Sequence, residues 1–398
     1  MLDTLLSVTA LTLSAALSLP ATIFAAECIA ATMLRGKPVA ERLGKRPTIV
    51  ILVPAHNEES GISKTLLSIK AEMRTGDRLV VVADNCTDRT ALFARGAGAE
   101  VVERNDESQR GKGFALHAGM VYLAINEPEI VVVVDADCFL KPGALDRLAG
   151  MVAVTGRPVQ ACYLMSSPSG TRLDLAVREF AFVVKNRVRP LGMSKLGLPC
   201  QLTGSGMAFP WSVLSTANLS NDNIVEDMKL GLDLARSGHA PSFCEDALVM
   251  SEFPYSRVGS VTQYRRWESG HLAMIRTAMG TLTERGVLGN LGLVALLLDV
   301  MVPPLALLVL LLGIALVFAT LLVLAGVSTL AFVVAFINLL LVTAGIAAAW
   351  LAYGTEILPF RKLYRIPLYA IRKVAFYARI IRGDAGDGWI RTDRRRNE

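Results

Sequence analysis

The sequence predicts an α/β domain with an open, largely parallel sheet, held between membrane-spanning helices. Three observations carry that reading. Strand and helix signals alternate from Pro47 to about Arg285. Within them, "VVVVDADCF" (131–139) sets four valines directly before two carboxylates, the pattern of a strand buried on both faces that ends at a polar edge. On either side lie stretches almost free of charge, Leu5–Leu34 with only Glu27 and Gly286–Gly354 with only Asp299.

The first apolar stretch is long enough for one bilayer span. A cleaved signal peptide is the alternative, but Met1-Leu2-Asp3 lacks a basic start. Arg35, Lys37, Arg42, Lys45 and Arg46 follow it, and Arg361, Lys362, Arg365, Arg372 and Lys373 follow the second stretch. The positive-inside rule puts both flanks in the cytoplasm, so an even number of spans separates them. Pro303-Pro304 and Gly326-Val327-Ser328 divide the second stretch into spans near Val302–Ala325 and Leu330–Tyr353, after a shorter interfacial or re-entrant segment near Val287–Met301. The expected organisation is a helix and basic flank (1–46), a catalytic α/β domain (47–253), a polar segment with an interfacial helix (254–285), a membrane region (286–358) and a basic amphipathic helix with tail (359–398). The stretches "HLAMIRTAMGTL" (271–282) and "LYRIPLYAIRKVAFYARIIR" (363–382) fit helices lying in the membrane interface.

Between the spans, "TIVILVPAHNE" (48–58) reads as a strand entering a polar loop, and "RLVVVADNCTDRT" (78–90) as a second. "AEVVER" (99–104) is a short third strand and "GKGFALHAGMVYLAI" (111–125) a helix leading to the valine strand. In such sheets ligands bind beyond the carboxyl ends of the strands. Asp84, Asp135, Asp137 and His56-Asn57-Glu58 all fall there.

Composition excludes several classes. Six cysteines without a C-x-x-C pair and four scattered histidines argue against a zinc site and for a reducing compartment. A mean hydropathy of +0.45 fits membrane attachment. The net charge of +6 gathers at the membrane flanks, which suits anionic lipid rather than nucleic acid. A transporter is disfavoured because the spans carry little polar lining beyond Asp299 and Asn338.

Three elements can carry chemistry. Asp135 and Asp137, like charges two residues apart, can share a hard cation with a diphosphate, or Asp137 can cap a downstream helix. Glu226 and Asp227 begin "EDMKLGLDLAR", where they serve either the helix dipole or proton abstraction. Gln263, Arg266 and Trp267 form a cationic-aromatic cluster that is either a snorkelling surface helix or a substrate cover.

Taken in order, Asp84, Asp135-Ala136-Asp137, Glu226-Asp227 and Gln263-x-x-Arg266-Trp267 resemble the D, D-x-D, E-D, Q-x-x-R-W series of family 2 glycosyltransferases. The similarity is to the membrane-embedded branch of cellulose, chitin and hyaluronan synthases and ceramide glucosyltransferase; "VPAHNE" and "GKG" match as well. The resemblance implies a GT-A (Rossmann-like) cytoplasmic domain and a UDP-sugar donor, with glucose as the first choice. It implies that Asp84 meets the uracil and that Pro54, Glu58 and Lys112 lie near the nucleotide. Asp137 would ligate Mg²⁺ or Mn²⁺, with Asp135 beside it or at the ribose. Asp227, tuned by Glu226, would deprotonate the acceptor hydroxyl for inverting attack. Gln263, Arg266 and Trp267 would close over the site, Arg266 toward the diphosphate and Trp267 stacking on an acceptor ring, and "LTGSGMAFPW" with Gly204 and Ser205 would shape the acceptor end.

Met228 stands where processive members carry Arg, and the spans are few for a polymer channel. The expectation is therefore addition of one sugar to a polyprenyl-diphosphate-linked or glycolipid acceptor at the cytoplasmic face of a bacterial inner membrane, in surface polysaccharide assembly. Homo-oligomers are compatible with it. A processive β-polysaccharide synthase is the alternative, and a membrane-attached nucleotide-sugar sensor is the non-enzymatic one. "GWIRTDRRR" (388–396) resembles a terminal Trp-x-x-Thr feature of some members, or is a basic disordered tail.

Overall fold

The computed structural model describes residues 1–36, 46–167, 173–220, 225–254 and 257–364. The tail feature at 388–396, the interfacial stretch from residue 365 onward, and Lys37, Arg42, Lys45, Arg365, Arg372 and Lys373 lie outside the described residues.

After the N-terminal helix α1 (Leu2–Met33), the chain builds β1 (Ile49–Ala55), α2 (Ile62–Lys70), β2 (Arg78–Asp84), α3 (Thr90–Gly96), β3 (Glu100–Arg104), α4 (Lys112–Leu123) and β4 (Ile130–Val133). These four strands are parallel, with Val53 opposite Val81 and Leu52 opposite Val133. Their continuous apolar runs are buried on both faces, as crossover helices require. Ile49, Ile51, Val53, Val81 and Val132 pack on α2 and on α5 (Ala144–Thr155). Val50, Leu52, Val82, Val131 and Val133 pack on α4.

The second half adds β5 (Phe139–Leu140), β6 (Val159–Ser166), α6 (Leu173–Val183), a π-helical segment Val184–Val188, α7 (Arg189–Lys195), β7 (Met207–Pro210), α8 (Trp211–Leu214), α9 (Glu226–Arg236) and β8 (Ser242–Glu252). Among the described residues the sheet has eight strands in the order β3-β2-β1-β4-β7-β6-β8-β5. β7 pairs antiparallel with β4 and β6, and β5 antiparallel with β8. The chain leaves β1 toward β2 and β3, then returns to place β4 on the other side. That reversal opens a crevice at the carboxyl ends of β1 and β4.

Beyond the sheet follow α10 (Arg257–Leu282), α11 (Leu291–Val300), α12 (Leu305–Leu324) and α13 (Leu330–Tyr353). Among the described residues α1, α12 and α13 are the three helices long and apolar enough to cross a membrane. Pro304 starts α12, and Gly326, at φ +69°, follows its end, where the sequence predicts breaks. At 1.5 Å per residue the ten residues of α11 reach only about half of a ~30 Å hydrocarbon core. It packs instead on α9 and α10 through Met228, Leu232, Met274, Leu293 and Leu296.

α1 runs along α13 and also meets α7 and α12. Asn338 of α13 donates to the carbonyl of Ser14 (2.8 Å) and to Ser18 Oγ (3.1 Å), a polar link suited to helices with little hydrophobic drive to associate in lipid. α7 approaches α1 so closely at Gly192 that a Cβ there would fall on the Glu27 carbonyl. Only glycine fits that contact.

Candidate active site

Two strand ends use the same device. Asn57 after β1 (φ +54°) and Asn85 after β2 (φ +50°) adopt the left-handed conformation that asparagine tolerates best among residues with a Cβ. Each side chain then clasps the next loop: Asn57 Oδ1 accepts from the Thr87 amide (2.7 Å), and Asn85 Oδ1 from the Asp106 amide (2.7 Å). Between them Asp84 is buried, its carboxylate receiving Arg104 Nη1 at 2.7 Å while its carbonyl lies 2.7 Å from His56 Nδ1. Pro54, His56 and Glu58 face the same cavity.

The two aspartates after the valines converge for a reason other than strand alternation. β4 ends at Val133, and a turn follows in which the Cys138 amide donates to the Asp135 carbonyl (3.1 Å). This turn, not the pleat, brings ligand atoms of Asp135, Asp137 and Cys138 within 4.8 Å of one another. The helix starting at Ala144 takes Gly143 as its N-cap, which leaves Asp137 out of a capping role. Burial pushes the Cys138 thiol up to about 12, so it stays protonated and donates toward Asp137 Oδ1 (3.5 Å). The oxygen donors left for a hard cation are the carboxylates of Asp135 and Asp137, a fitting set for Mg²⁺ or Mn²⁺.

Lys112, first residue of α4, ion-pairs with Asp135 and donates to the Gly204 carbonyl (2.6 Å). Burial opposes its charge, but Asp135, Glu226 and Asp227 outweigh burial and hold it above the usual lysine range. Gly204, at φ +91°, sits at the centre of the cluster. A Cβ there would be 3.3 Å from Asp227 Oδ2, 3.6 Å from Lys112 Nζ and 3.9 Å from Asp135 Oδ2. Ser205 is fully buried and supports this loop from behind: its hydroxyl accepts from the Asp135 amide (3.1 Å), and its carbonyl accepts from Gln160 (2.9 Å).

Glu226 and Asp227 occupy the first turn of α9. Burial, then the neighbouring Asp227, pushes Glu226 up to about 7. Burial also raises Asp227, while Lys112 and Lys185 pull it down. A carboxylate raised in this way is a stronger base than a solvated one.

α10 covers the opposite wall with Gln263, Arg266 and Trp267. Burial lowers Arg266, against the pull of Glu226, Asp135 and Asp227. Trp267 leans on Phe182 (5.8 Å between centroids), which makes edge contacts with Tyr163 and Phe253. His271, one turn on, bonds to the Val300 carbonyl (2.9 Å), and burial holds it at about 3, so it stays neutral.

The cavity that joins these groups measures about 850 Å³ and continues past Asp227 to Lys185, Arg189 and Asp299, ending against Phe24, Pro304 and Leu305 of the membrane region. At that end Arg189 bridges two acids, Glu27 of α1 and Asp299 of α11, at 2.5 Å each. All the sequence-predicted site residues except Asn57 and Ser205 line this one cavity.

Arg104, Lys185 and Arg189 escape the sequence reading. The first lies 20 residues from Asp84, and Arg189 lies 162 and 110 residues from its partners, so no local spacing announces them. A signal existed for Arg189: Glu27 and Asp299, each alone in an apolar stretch, called for a shared cation.

Comparisons with known proteins accord with this geometry. Residues 47–270 match the family described as glycosyltransferase-like family 2. An uncharacterized glycosyltransferase of Mycobacterium tuberculosis is 40% identical over 188 residues, covering 42% of this chain and 82% of that protein. The 4,4'-diaponeurosporenoate glycosyltransferase of Staphylococcus aureus is 34% identical over 113 residues, covering 27% of this chain and 29% of the relative. Among solved structures, a mannosyltransferase from Pyrobaculum calidifontis in complex with GDP-Man and Mn²⁺ superposes with a TM-score of 0.56 at 17% identity, covering 87% of this chain and 98% of that one. The shared fold is the GT-A arrangement.

Proposed function

The chain belongs to glycosyltransferase-like family 2, and on that premise we propose that it moves one sugar from a nucleoside-diphosphate donor to a lipid-linked acceptor at the cytoplasmic face of a bacterial inner membrane. The donor is UDP-linked, with glucose the first choice, and the product feeds surface polysaccharide or glycolipid assembly. The observation that carries this reading is the single cavity running from the carboxylates at the strand ends to Phe24, Pro304 and Leu305 on the membrane helices. A water-soluble acceptor has no need of that apolar end.

In this mechanism Asp84, held by Arg104, accepts from the nucleobase, and the Pro54–Glu58 loop borders the ribose. Asp137 and Asp135 would hold Mg²⁺ or Mn²⁺, which when bound would neutralise the diphosphate and the charge that builds on the departing oxygen. Lys112 keeps Asp135 in place, and Arg266 and Gln263 meet the diphosphate from α10. Asp227 takes the acceptor hydroxyl proton as that oxygen attacks the anomeric carbon. The bond to the phosphate oxygen breaks on the opposite side, its electron pair leaves with the diphosphate, and the configuration inverts. Gly204 gives the acceptor room, and Trp267 offers the face not occupied by Phe182 to a sugar ring. Three spanning helices among the described residues favour single addition over polymer export.

The test uses the full chain in bilayer discs containing extracted bacterial lipid and Mn²⁺, with radiolabelled UDP- and GDP-sugars supplied one at a time. Label on one discrete organic-phase lipid supports the proposal and names the donor. Label in a long polymer makes the enzyme processive. Binding of donor without transfer to any lipid leaves a nucleotide-sugar sensor.

A further inference from the structure

Six lysine and arginine side chains line the cavity, and most of them are already engaged. Lys112 is paired with Asp135, Arg110 with Glu107, and Arg189 with Glu27 and Asp299. Arg178 lies over the ring of Tyr264. Lys185 and Arg266 line the cavity and have no carboxylate partner among the described residues. The charges acting on these two differ. Arg266 feels Glu226, Asp135 and Asp227, on the donor side. Lys185 feels Asp227, Arg189, Asp299 and Glu268, on the membrane side. Asp227 is the carboxylate whose charge acts on both, and all three line the one cavity.

Lys185 sits in the π-helical segment Val184–Val188, and its exposed side chain lines the cavity. Its exposed ammonium has no carboxylate partner among the described residues. Such a group is free to form a charge-assisted hydrogen bond with an anion brought to it. π-turns of this kind recur at functional positions because the extra residue redirects one side chain. Beyond Lys185 the wall becomes apolar at Phe24, Pro304 and Leu305.

We propose that Lys185 is the anchor of an anionic subsite for the acceptor: a phosphate ester in the lipid headgroup binds the Lys185 ammonium, the acceptor's reacting oxygen is thereby held toward Asp227, and the hydrocarbon tail leaves past Phe24, Pro304 and Leu305. This assignment rests on the transferase reading above and specifies the acceptor within it. Lys185 is a positioning residue, since the phosphate it holds is not the atom that reacts.

Binding and transfer are measured separately on the full chain in neutral-lipid discs. The probes are polyprenyl phosphate, a polyprenyl diphosphate sugar, phosphatidic acid and uncharged polyprenol, each tested against wild type, Lys185→Gln and Lys185→Arg. The expected result is preference of wild type for the phosphorylated polyprenyl lipids over polyprenol. Their binding weakens about tenfold to a hundredfold in Lys185→Gln, as for loss of one charge-assisted hydrogen bond, and recovers in Lys185→Arg. Acceptor KM rises while donor KM stays. The monophosphate and diphosphate arms separate the two headgroups, and phosphatidic acid reveals a general lipid-phosphate site. Equal binding of polyprenol and polyprenyl phosphate, or unchanged binding in Lys185→Gln, overturns the subsite. Lys185-dependent binding with no sugar transfer to any lipid overturns the transferase reading and leaves the subsite standing. Transfer to an uncharged lipid at a rate indifferent to Lys185 does the reverse.

Discussion

Arg189→Leu tests whether one ion-pair triad holds the membrane helices to the α/β domain. The guanidinium is 9% exposed and its partners Glu27 and Asp299 are 2% and 12% exposed, so all three charges are shielded from water. Each contact is 2.5 Å, and Arg189 Nη2 also donates to the Asp299 carbonyl at 2.9 Å. Leucine fills much of the same volume but leaves two carboxylates facing each other with no cation. Breaking a buried pair from one side costs about 3–5 kcal/mol, and protonation of one acid keeps the loss near that range. Against a total stability of about 5–15 kcal/mol this is a large fraction. At roughly 2 °C per kcal/mol, the unfolding midpoint falls by roughly 8 °C. Thermal unfolding in micelles, followed by loss of the monodisperse chromatographic peak, measures it. The variant Glu27→Leu/Arg189→Leu/Asp299→Leu removes all three charges and should recover most of the loss, because apolar replacement of a whole buried network is close to neutral. If Arg189→Leu unfolds at the wild-type midpoint, the triad carries no stability and the reasoning fails. A triple variant as unstable as the single one would assign the loss to shape rather than charge.

Four further outcomes follow from the site. Asp227→Asn keeps the size of the side chain and loses the base, so transfer should drop about 10²–10⁴-fold with UDP affinity retained; substantial turnover would remove Asp227 from that role. Asp137→Ala should weaken Mn²⁺-dependent UDP binding about tenfold or more in calorimetry while leaving binding in chelator unchanged. Gly204→Ala forces a side chain to φ +91° and sets a methyl 3.3 Å from Asp227 Oδ2; backbone strain of about 1–2 kcal/mol should lower the unfolding midpoint slightly, while transfer falls far more. Because burial raises both Glu226, to about 7, and Asp227, their protonated forms persist to higher pH than in ordinary carboxylates. The rate kcat/KM should therefore decline as pH falls through neutrality, and a profile flat down to about pH 5 would contradict the buried setting.

The parallel sheet was legible because each of its strands is an apolar run stopped by a polar loop, and both faces need cover. The carboxylate sites were legible because each lies at such a stop. The geometry of Asp135 and Asp137 was less so, since a turn and an alternating strand bring such neighbours equally close. Nor could the order along the chain show that Ser205 supports Asp135 from behind, or that Trp267 gives one face to Phe182. The sequence reading singles out nothing in the stretch from Leu173 to Lys195. That Lys185 enters the cavity and Arg189 the core depends on long-range partners and on an irregular turn, neither of which periodicity records.

That irregular turn joins the two halves of the molecule. In a regular α-helix residues four apart share a face, so Lys185 and Arg189 would compete for one environment. The π segment takes in an additional residue per turn and ends at Val188, which leaves Lys185 exposed in the cavity while Arg189, at the cavity's inner end, is buried between α1 and α11. The close approach at Gly192 then fixes how deep α7 sits against α1. Hydrophobic contact alone would hold these helices together but would not set their rotation, because apolar side chains slide past one another at little cost. A directional fork between two acids does set it. The triple-leucine variant therefore separates two quantities that usually move together: the fold should stay stable, while the placement of Lys185 beside Asp227, and with it the rate of transfer, is lost.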